Sequence, residues 1–379
     1  MNNKKLYIGI MSGTSADNID AVLVDLNSDQ PEILLTHSLK LEASIKEQIR
    51  SLAVSGANEI HRMSQLNQSL GLLFAQAVNE LLCLSVTSDD PRDIRAIGSH
   101  GQTIRHYPPS KTSNNDYGYS LQIGDPNTIA ALTGITTIAD FRGRDMALGG
   151  QGAPLVPRFH LDFFEKIGSV RAIINIGGIS NITLLPGDGL TSSVLGYDTG
   201  PGNGLMDKWT KENLGKDYDK SGAWAAQGST IEALLLSLMG TPYLKEDTPK
   251  STGPELFNLH WLKEHINKLP SCSSVDIQAT LLEFTAQTIT QAVHAYALKV
   301  DEVFFCGGGA YNNTLINRLK VLLHPASVSD TSMLGIAPEW VEATAFAWLA
   351  KQTIEGAPGN IPTVTGAKKA SVLGAIYTR

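Results

Sequence analysis

KLYIGIMSGTSADNIDAVLVDL, at residues 5–26, is the stretch of sequence that decides the fold. Apolar segments at 5–10 and 19–26 flank MSGTSADN, whose Gly, Ser, Asn and Asp residues are typical of a turn, so the stretch predicts a β-hairpin. RAIINIGGISNITLLP, at 171–186, repeats the same order of strand, glycine, small polar turn and strand. This echo predicts two domains of related topology.

Strands and helices alternate along the rest of the chain. Further strands are expected at 32–39, 94–99, 120–124, 136–140, 194–198 and 303–309, with a loop following 94–99. Helices are expected over 58–82, from Pro126 to Gly134, from near Asn203, over 278–299 and over 340–353. The alternation predicts an α/β fold. We expect domains at 1–168 and 169–379, with a C-terminal segment that can pack back on the first domain.

Composition excludes several classes of protein. The chain has 379 residues, enough for two domains, and a net charge of -7 without a basic cluster, which argues against binding to nucleic acid backbones. Its three cysteines, Cys83, Cys272 and Cys306, form no CxxC motif. A reducing, cytoplasmic location is therefore expected. The sequence predicts neither a signal peptide nor a membrane span.

Three glycine-rich loops are candidate nucleotide-binding elements. In the first, backbone N–H groups and hydroxyls suit a phosphate, and Asp17 or Asp20 suits Mg²⁺. The loops comprise Gly13, Thr14, Ser15, Ala16, Asp17, Asn18, Ile19 and Asp20; Gly177, Gly178, Ser180 and Asn181; and Gly307, Gly308 and Gly309. Any one of them alone is better explained as an ordinary turn. Together they predict a nucleotide clamp between two lobes, and the sequence has no GxxxxGK[ST], GxSxG or HExxH motif.

Two carboxylates are candidate catalytic residues. Asp198 ends a predicted strand in YDTGPGN, and the glycines leave room for a ligand, which favours a general base over a turn-capping residue. Glu342 lies near the start of a predicted helix. There a favourable charge at the helix N-terminus is the alternative to a catalytic role.

Polar side chains in the first half are candidates for binding a substrate. Arg142, Arg144 and Asp145 lie in ADFRGRDMALGGQGAPL, where arginines beside a glycine turn suit a carboxylate or phosphate. By residue types alone, a solvated ion pair explains this segment better. His100 and Gln102, in SHGQ, could bind sugar hydroxyls, although a single loop histidine is more often structural.

Six segments in order resemble the anhydro-N-acetylmuramic acid kinase family over about residues 6–350. They are GIMSGTSADNIDAVLVDL, GSHGQTIRH, LQIGDPNTIAALTGITTIADFRGRDMALGGQGAPL, INIGGISNITLL, GYDTGPGNGLMD and FCGGGAYNN. The resemblance implies two actin/hexokinase-like (ribonuclease H-like) domains with an active-site cleft between them. It implies that the domains close on ATP and Mg²⁺, and that 1,6-anhydro-N-acetylmuramic acid, water and ATP give N-acetylmuramic acid 6-phosphate and ADP. Peptidoglycan recycling and a homodimer are also implied.

The resemblance also implies roles for individual residues. Gly13–Asp20 corresponds to the loop for the ATP phosphates, and Asp198 to the base that activates the water. Glu342 corresponds to an acidic residue near the same site, and Arg144 with its neighbours to the sugar pocket.

Two residues depart from the family pattern: Asn18 stands where glycine is usual, and Pro254 stands where arginine is expected. Asn tolerates left-handed backbone angles, so the turn is expected to survive. Two alternatives remain on the same fold. One is a simple amino-sugar kinase, and the other is a non-kinase ATPase of the actin or chaperone type.

Overall fold

The computed structural model describes residues 5–13, 15–84, 93–109, 117–253 and 255–379. Its strands are β1 Leu6–Ser12, β2 Asn18–Asp25, β3 Glu32–Lys40, β4 Ile94–Tyr107, β5 Tyr119–Ile123, β6 Thr137–Ala139, β7 Arg171–Ile176, β8 Ile179–Leu185, β9 Leu195–Pro201, β10 Glu302–Cys306, β11 Ser327–Asp330 and β12 Ala375–Tyr377. Its α-helices are α1 Ala43–Ala53, α2 Glu59–Cys83, α3 Pro126–Thr133, α4 Phe141–Ala147, α5 Pro157–Phe164, α6 Gly204–Leu214, α7 Glu232–Met239, α8 Leu259–Ile266, α9 Ser274–His294, α10 Asn313–Leu322, α11 Val341–Glu355 and α12 Pro362–Thr365. None of these described helices is long and apolar enough to cross a membrane.

Contacts divide the chain into two compact units. Unit 1 comprises Met1–Phe163 and Trp340–Arg379, and unit 2 comprises Phe164–Glu339. In unit 1, α11 packs on β1 and β4, and β12 pairs with β6. The domain boundary expected between residues 168 and 169 stays a prediction.

The sheet of unit 1 has the order β12-β6-β4-β1-β2-β3, and β5 pairs with β4. β1 is antiparallel to β2, and β2 is antiparallel to β3, whereas β4 is parallel to both β1 and β6. The predicted hairpin over residues 5–26 is thus confirmed.

Alternate residues of β1 face two different helices, as the two-residue period of a strand requires. Leu6, Ile8 and Ile10 are buried in a cluster with apolar residues of α2. Gly9 lies on the other face, where its register partner is Gly98 of β4. These two glycines form a groove for α11, which we call the glycine groove. A Cβ built at Gly9 would lie 1.8 Å from the carbonyl oxygen of Ala343 in that helix.

The sheet of unit 2 has the order β11-β10-β7-β8-β9. As in unit 1, three antiparallel strands are followed by parallel strands: β10 is parallel to both β7 and β11. The echo in the sequence is therefore a repeat of topology. The α/β class and the ribonuclease H-like strand order in each unit are confirmed. Helix α9 supplies much of the apolar core of this unit.

The loop predicted after residue 99 is wrong, because β4 continues to Tyr107. The additional length pairs antiparallel with β5, from Gln102 opposite Ile123 to Tyr107 opposite Tyr119. The register between β1 and β4 shifts between Ser99 and Gln102, and Gly101 lies at this shift. Its φ of 72° is a left-handed conformation that glycine tolerates. His100 and Gln102 therefore lie on a strand.

Candidate active site

Gln102 forms hydrogen bonds with the start of the first glycine-rich loop. The side-chain oxygen of Gln102 accepts a hydrogen bond from the Ser12 hydroxyl at 2.8 Å, and its amide donates to the carbonyl of Gly13 at 3.2 Å. The Ser12 hydroxyl also lies 3.1 Å from the carbonyl oxygen of Asn18. Gln102 is fully buried. Its assignment to the sugar stays a prediction, and the structure adds a role in shaping this loop.

The backbone of the loop takes its left-handed residue at an unexpected position. Ala16 has φ of 55° and is buried, and its N–H donates to Gly13 at 3.0 Å. Asn18 instead begins β2. The turn therefore persists with asparagine at position 18, but its left-handed residue is Ala16 and not Asn18. Thr14, also assigned to this loop, lies outside the described residues.

The two predicted metal ligands lie near the start of β2. Asp17 is exposed and pairs with Lys46 at 2.7 Å. Asp20 accepts a hydrogen bond from the Ser38 hydroxyl at 2.7 Å. The described residues hold no group of three or more His, Cys, Asp or Glu suited to a metal ion. A magnesium ion here would depend on phosphate and water for most of its ligands.

The buried His100 and the half-buried Arg142 form a hydrogen-bonded pair. The imidazole Nδ1 lies 2.8 Å from the carbonyl of Gly101, so it carries the proton, and Nε2 accepts from Nη2 of Arg142 at 2.9 Å. Nη1 of Arg142 donates to Gly152 at 2.6 Å, and the imidazole packs on Phe346 with ring centroids 4.8 Å apart. Burial, and then the charge of Arg142, lower the pKa of His100 to about 3. The pair thus fixes the guanidinium with a neutral imidazole.

Acid should destabilise the folded chain through His100. Its pKa is about 3 in the folded chain and near the ordinary histidine value of 6.5 in the unfolded chain, so below pH 6.5 the unfolded chain binds a proton that the folded chain does not. The free energy of unfolding should fall as pH drops, by about 2 kcal/mol between pH 7 and pH 5 from this group. Urea unfolding at the two pH values measures it. His100→Gln should remove that part of the loss, whereas His260→Gln, at an exposed histidine, should not. An unchanged pH dependence in His100→Gln would contradict the assignment.

Asp145 is buried within unit 1. Its Oδ1 accepts hydrogen bonds from Asn360 at 2.6 Å and Thr365 at 2.7 Å, and its Oδ2 accepts from the N–H of Gly152 at 2.9 Å. The carboxylate thereby ties α4 to the C-terminal segment. Arg144, on the same helix, is exposed. The assignment of both residues to the sugar stays a prediction, and Arg144 has the more accessible group.

The second glycine-rich loop, which begins at Gly177, directly contacts a further glycine-rich segment at 200–204. The N–H groups of Gly202 and Gly204 donate to the carbonyl of Gly178 at 3.1 Å each, and that of Asn203 donates to Gly177 at 2.8 Å. A Cβ at Gly202 would lie 2.3 Å from the Gly177 oxygen, so this approach requires glycine. The segment at 200–204 therefore belongs to the glycine cluster, a connection that was not predicted from the sequence.

The third glycine-rich loop, at 307–309, packs against the same part of unit 2, beside Ile176 and Asn203. Gly307 follows β10 with φ of 76°. A Cβ at Gly309 would lie 2.3 Å from Ile176 and 3.0 Å from the side-chain nitrogen of Asn203, which itself donates to the Ile176 carbonyl at 3.3 Å. The glycine loops thus converge at the carboxyl ends of β7 and β10. A Cβ at Gly308 would meet no atom closer than 4.0 Å, so a flat ligand could approach the main chain at that residue.

Ser180 and Asn181 lie in β8 beside this cluster. Asn181 is the register partner of Asn175 on one side and of Asp198 on the other. Within the described part of the chain, the Ser180 hydroxyl and the side-chain oxygen of Asn175 are buried without a hydrogen-bond partner. Buried polar atoms of this kind usually bind water or a ligand.

Asp198 lies in the middle of β9 and is half-buried. Its Oδ2 accepts a hydrogen bond from the N–H of Thr252 at 3.0 Å. The hydroxyls of Ser251 and Thr252 are buried without a partner among the described residues. The Thr252 N–H therefore orients the Asp198 carboxylate, and the hydroxyls of Ser251 and Thr252 nearby could bind water or a ligand.

Comparison with known proteins decides the family. A family model described as "Anhydro-N-acetylmuramic acid kinase" matches residues 5–379. The chain belongs to this family. A relative of that name from Coxiella burnetii is 50% identical over 374 residues, covering 99% of this chain and 98% of the relative. One from Shewanella loihica is 51% identical over 375 residues, covering 99% of each.

Among solved structures, this chain is similar to component A of the (R)-2-hydroxyglutaryl-CoA dehydratase of Acidaminococcus fermentans. The two are 12% identical with a TM-score of 0.48, covering 90% of this chain and 96% of the other. The resemblance to the anhydro-N-acetylmuramic acid kinase family, drawn above from six segments, is confirmed by the family model and by the two curated relatives.

Glu342 lies in the first turn of α11 and is half-buried. The glycine groove holds this helix against the strand that leads into the first loop. The catalytic assignment of Glu342 stays a prediction. Pro254, where the family pattern has arginine, lies outside the described residues.

The segment that surrounds Asp198 was not predicted from the sequence. Tyr243, Lys250 and Thr252 all contact Asp198, although the first lies 45 residues and the last 54 residues further along the chain. The one available signal was KSTG at 250–253, a short run of small and polar residues directly before Pro254.

Proposed function

We propose that this chain transfers the γ-phosphoryl group of ATP to O6 of 1,6-anhydro-N-acetylmuramic acid while water opens the anhydro bridge, giving N-acetylmuramic acid 6-phosphate and ADP. Membership of the family supports the phosphotransferase activity and its sugar. The observation that carries the hydrolytic half is the Asp198 carboxylate, held by the Thr252 N–H on a strand of the glycine-lined unit.

One carboxylate suffices for this chemistry. Asp198 takes a proton from water as the water oxygen bonds to the anomeric carbon, and the bond from that carbon to O6 breaks. The electron pair left on O6 forms the bond to the γ-phosphorus, and the bond between that phosphorus and ADP breaks. Since phosphorus captures the departing oxygen, no second carboxyl group has to protonate it, unlike the usual glycosidase pair.

The glycine loops fit a nucleotide. In unit 2 a Cβ at Gly308 would meet no atom closer than 4.0 Å, so the main chain there is open to close approach. The buried oxygens of Asn175 and Ser180 have no hydrogen-bond partner among the described residues. These groups suit the ribose and base, which need flat surfaces and a few polar contacts. In unit 1 the loop that starts at Gly13, shaped by Gln102, would present N–H groups to the phosphates.

Magnesium fits the oxygen donors of the first loop. Asp17 and Asp20 would hold the ion through one or two carboxylate or water contacts, with the phosphates completing its shell. Bound there, the ion would neutralise charge on the phosphates. The chain itself places Lys46 against Asp17 and Ser38 against Asp20, which fixes both carboxylates.

The sugar would meet the Arg142 side of unit 1. Arg142 is fixed by His100, and a fixed guanidinium suits the carboxylate of the lactyl group better than a mobile one does. Arg144 is exposed on the same helix, but residues two apart on a helix do not face each other, so it would contact a different part of the sugar. Glu342 would add a polar contact at the start of α11.

We propose that the enzyme acts in the cytoplasm as a homodimer, and that its role is the recycling of peptidoglycan fragments. The location is supported by three cysteines without a disulfide, of which Cys306 is buried and Cys83 exposed. The recycling role follows from the substrate, which is a fragment of the cell wall.

Release of ADP with a panel of sugars tests the proposed function. ADP should form with 1,6-anhydro-N-acetylmuramic acid and Mg²⁺, and not with N-acetylglucosamine. Release with an ordinary amino sugar and not with the anhydro sugar would favour a simple kinase, and release without any sugar would favour a non-kinase ATPase. Either result would contradict the proposal.

A further inference from the structure

We infer that Tyr243 is a positioning residue that holds the main chain at Asp198 and so aims the carboxylate at the reacting water. This inference rests on the proposed function, in which Asp198 is the base. Tyr243 lies 45 residues from Asp198 in the sequence and donates its hydroxyl hydrogen to the Asp198 carbonyl oxygen at 2.7 Å.

The place of Asp198 in the sheet explains why such support is needed. Among the described residues β9 is the edge strand of its sheet, so its main chain has a strand partner on one side only. On the outer side, the Asp198 carbonyl accepts from Tyr243, and its N–H lies 3.5 Å from the carbonyl of Lys250. Thr252 then donates to the carboxylate itself. The segment from Tyr243 to Thr252 therefore does for this one residue what a neighbouring strand would do.

Tyr243 is itself firmly held. The residue is 5% exposed, and its ring packs edge-on against Phe257 with centroids 6.0 Å apart. Nζ of Lys250 lies 5.0 Å from the ring centroid and donates to the Tyr243 carbonyl at 3.1 Å. Burial, and then the charge of Asp198, raise the pKa of Tyr243, so its hydroxyl stays protonated and remains a donor.

The geometry of a general base explains why this support should affect turnover. A carboxylate that activates water must lie within hydrogen-bond reach of it, and small displacements are costly in rate. Without the Tyr243 hydroxyl, the Asp198 carbonyl loses its outer partner and the strand can shift. The carboxylate would then lose its alignment although nothing that contacts ATP has changed.

Tyr197 offers a matched control on the same strand. The residue is 9% exposed, and its hydroxyl donates to the carbonyl of Ala292 at 3.3 Å. Nζ of Lys250 lies 5.7 Å from the centroid of its ring. Tyr197→Phe and Tyr243→Phe thus each remove one buried hydroxyl that donates to a main-chain carbonyl near the same ammonium. Only the Tyr243 hydroxyl donates to Asp198.

Steady-state kinetics and thermal unfolding of both variants test the inference. Tyr243→Phe should lower kcat about tenfold, with KM for ATP changed by less than about twofold, because a hydrogen bond of ordinary strength is lost at the base and not at the nucleotide. Tyr197→Phe should lose similar thermal stability and keep kcat within about twofold. Equal kcat values in the two variants would overturn the inference.

The outcomes separate this inference from the proposed function. If the wild-type chain does not convert the anhydro sugar, both are overturned. If the wild type turns over, Asp198→Asn does not, and Tyr243→Phe keeps its full kcat, only the role of Tyr243 is overturned. Should Tyr243→Phe fail to fold, Lys250→Met removes the contacts that hold the Tyr243 main chain, and there too an unchanged kcat overturns the inference.

Discussion

Asp198→Asn should lower kcat for the anhydro sugar by about 10²- to 10⁴-fold, the contribution expected of a general base. An asparagine oxygen can still accept the Thr252 N–H that now reaches Oδ2 at 3.0 Å, so the strand and its fold should persist. What is lost is the ability to take a proton from water. Because the same event opens the bridge and frees O6 for phosphorylation, ADP release and ring opening should fall together.

Single-turnover kinetics, with ATP binding measured separately, would check this prediction. ATP affinity and thermal stability should stay near those of the wild type. Asp188→Asn is the matched control, because Asp188 also lies in unit 2 and accepts a main-chain N–H, that of Leu190, at 2.8 Å. It should keep kcat. Full turnover in Asp198→Asn would show that another group activates the water.

Gly9→Ala should destabilise the chain by about 3 kcal/mol or more, a large effect for one methyl group. The added Cβ would lie 1.8 Å from the Ala343 carbonyl oxygen and 2.8 Å from the N atom of Ala347, and both are main-chain atoms of α11 that cannot rotate away. The helix would have to leave the glycine groove. That movement would carry Glu342, in its first turn, away from β1.

Chemical denaturation would measure the loss, with Gly13→Ala as the control. A Cβ at Gly13 meets no atom within 4 Å, so the free energy of unfolding should change little there, whatever happens to ATP binding. Gly98→Ala should resemble Gly9→Ala, because its Cβ would lie 2.0 Å from the Phe346 carbonyl oxygen. A stable Gly9→Ala variant would mean that α11 is not seated as described.

Local pattern in the sequence was enough to predict the repeated core of the fold. The two hairpins could be predicted because each has apolar strands around a short turn of small residues, at 5–26 and 171–185. The long helices were also evident from apolar spacing, since α2 at Glu59–Cys83 matches the segment predicted over 58–82. These features depend on residues close together in the chain.

Features that depend on distant residues could not be predicted. The strand β4 continues past residue 99 only because β5 pairs with it, and Asp145 is buried only because Asn360 and Thr365 reach it from the C-terminal segment. The support that Tyr243 gives Asp198 spans 45 residues. No local pattern of residues indicates contacts of this kind.

The most direct test of the central claim is turnover of ATP and 1,6-anhydro-N-acetylmuramic acid in ¹⁸O-labelled water, with the sugar phosphate examined early by mass spectrometry. If water attacks the anomeric carbon while O6 is phosphorylated, N-acetylmuramic acid 6-phosphate should carry ¹⁸O at its anomeric hydroxyl from the first turnovers and none in its phosphate. Early sampling limits exchange of that hydroxyl with solvent. A phosphorylated sugar that retains its anhydro bridge, or label in the phosphate, would contradict the account.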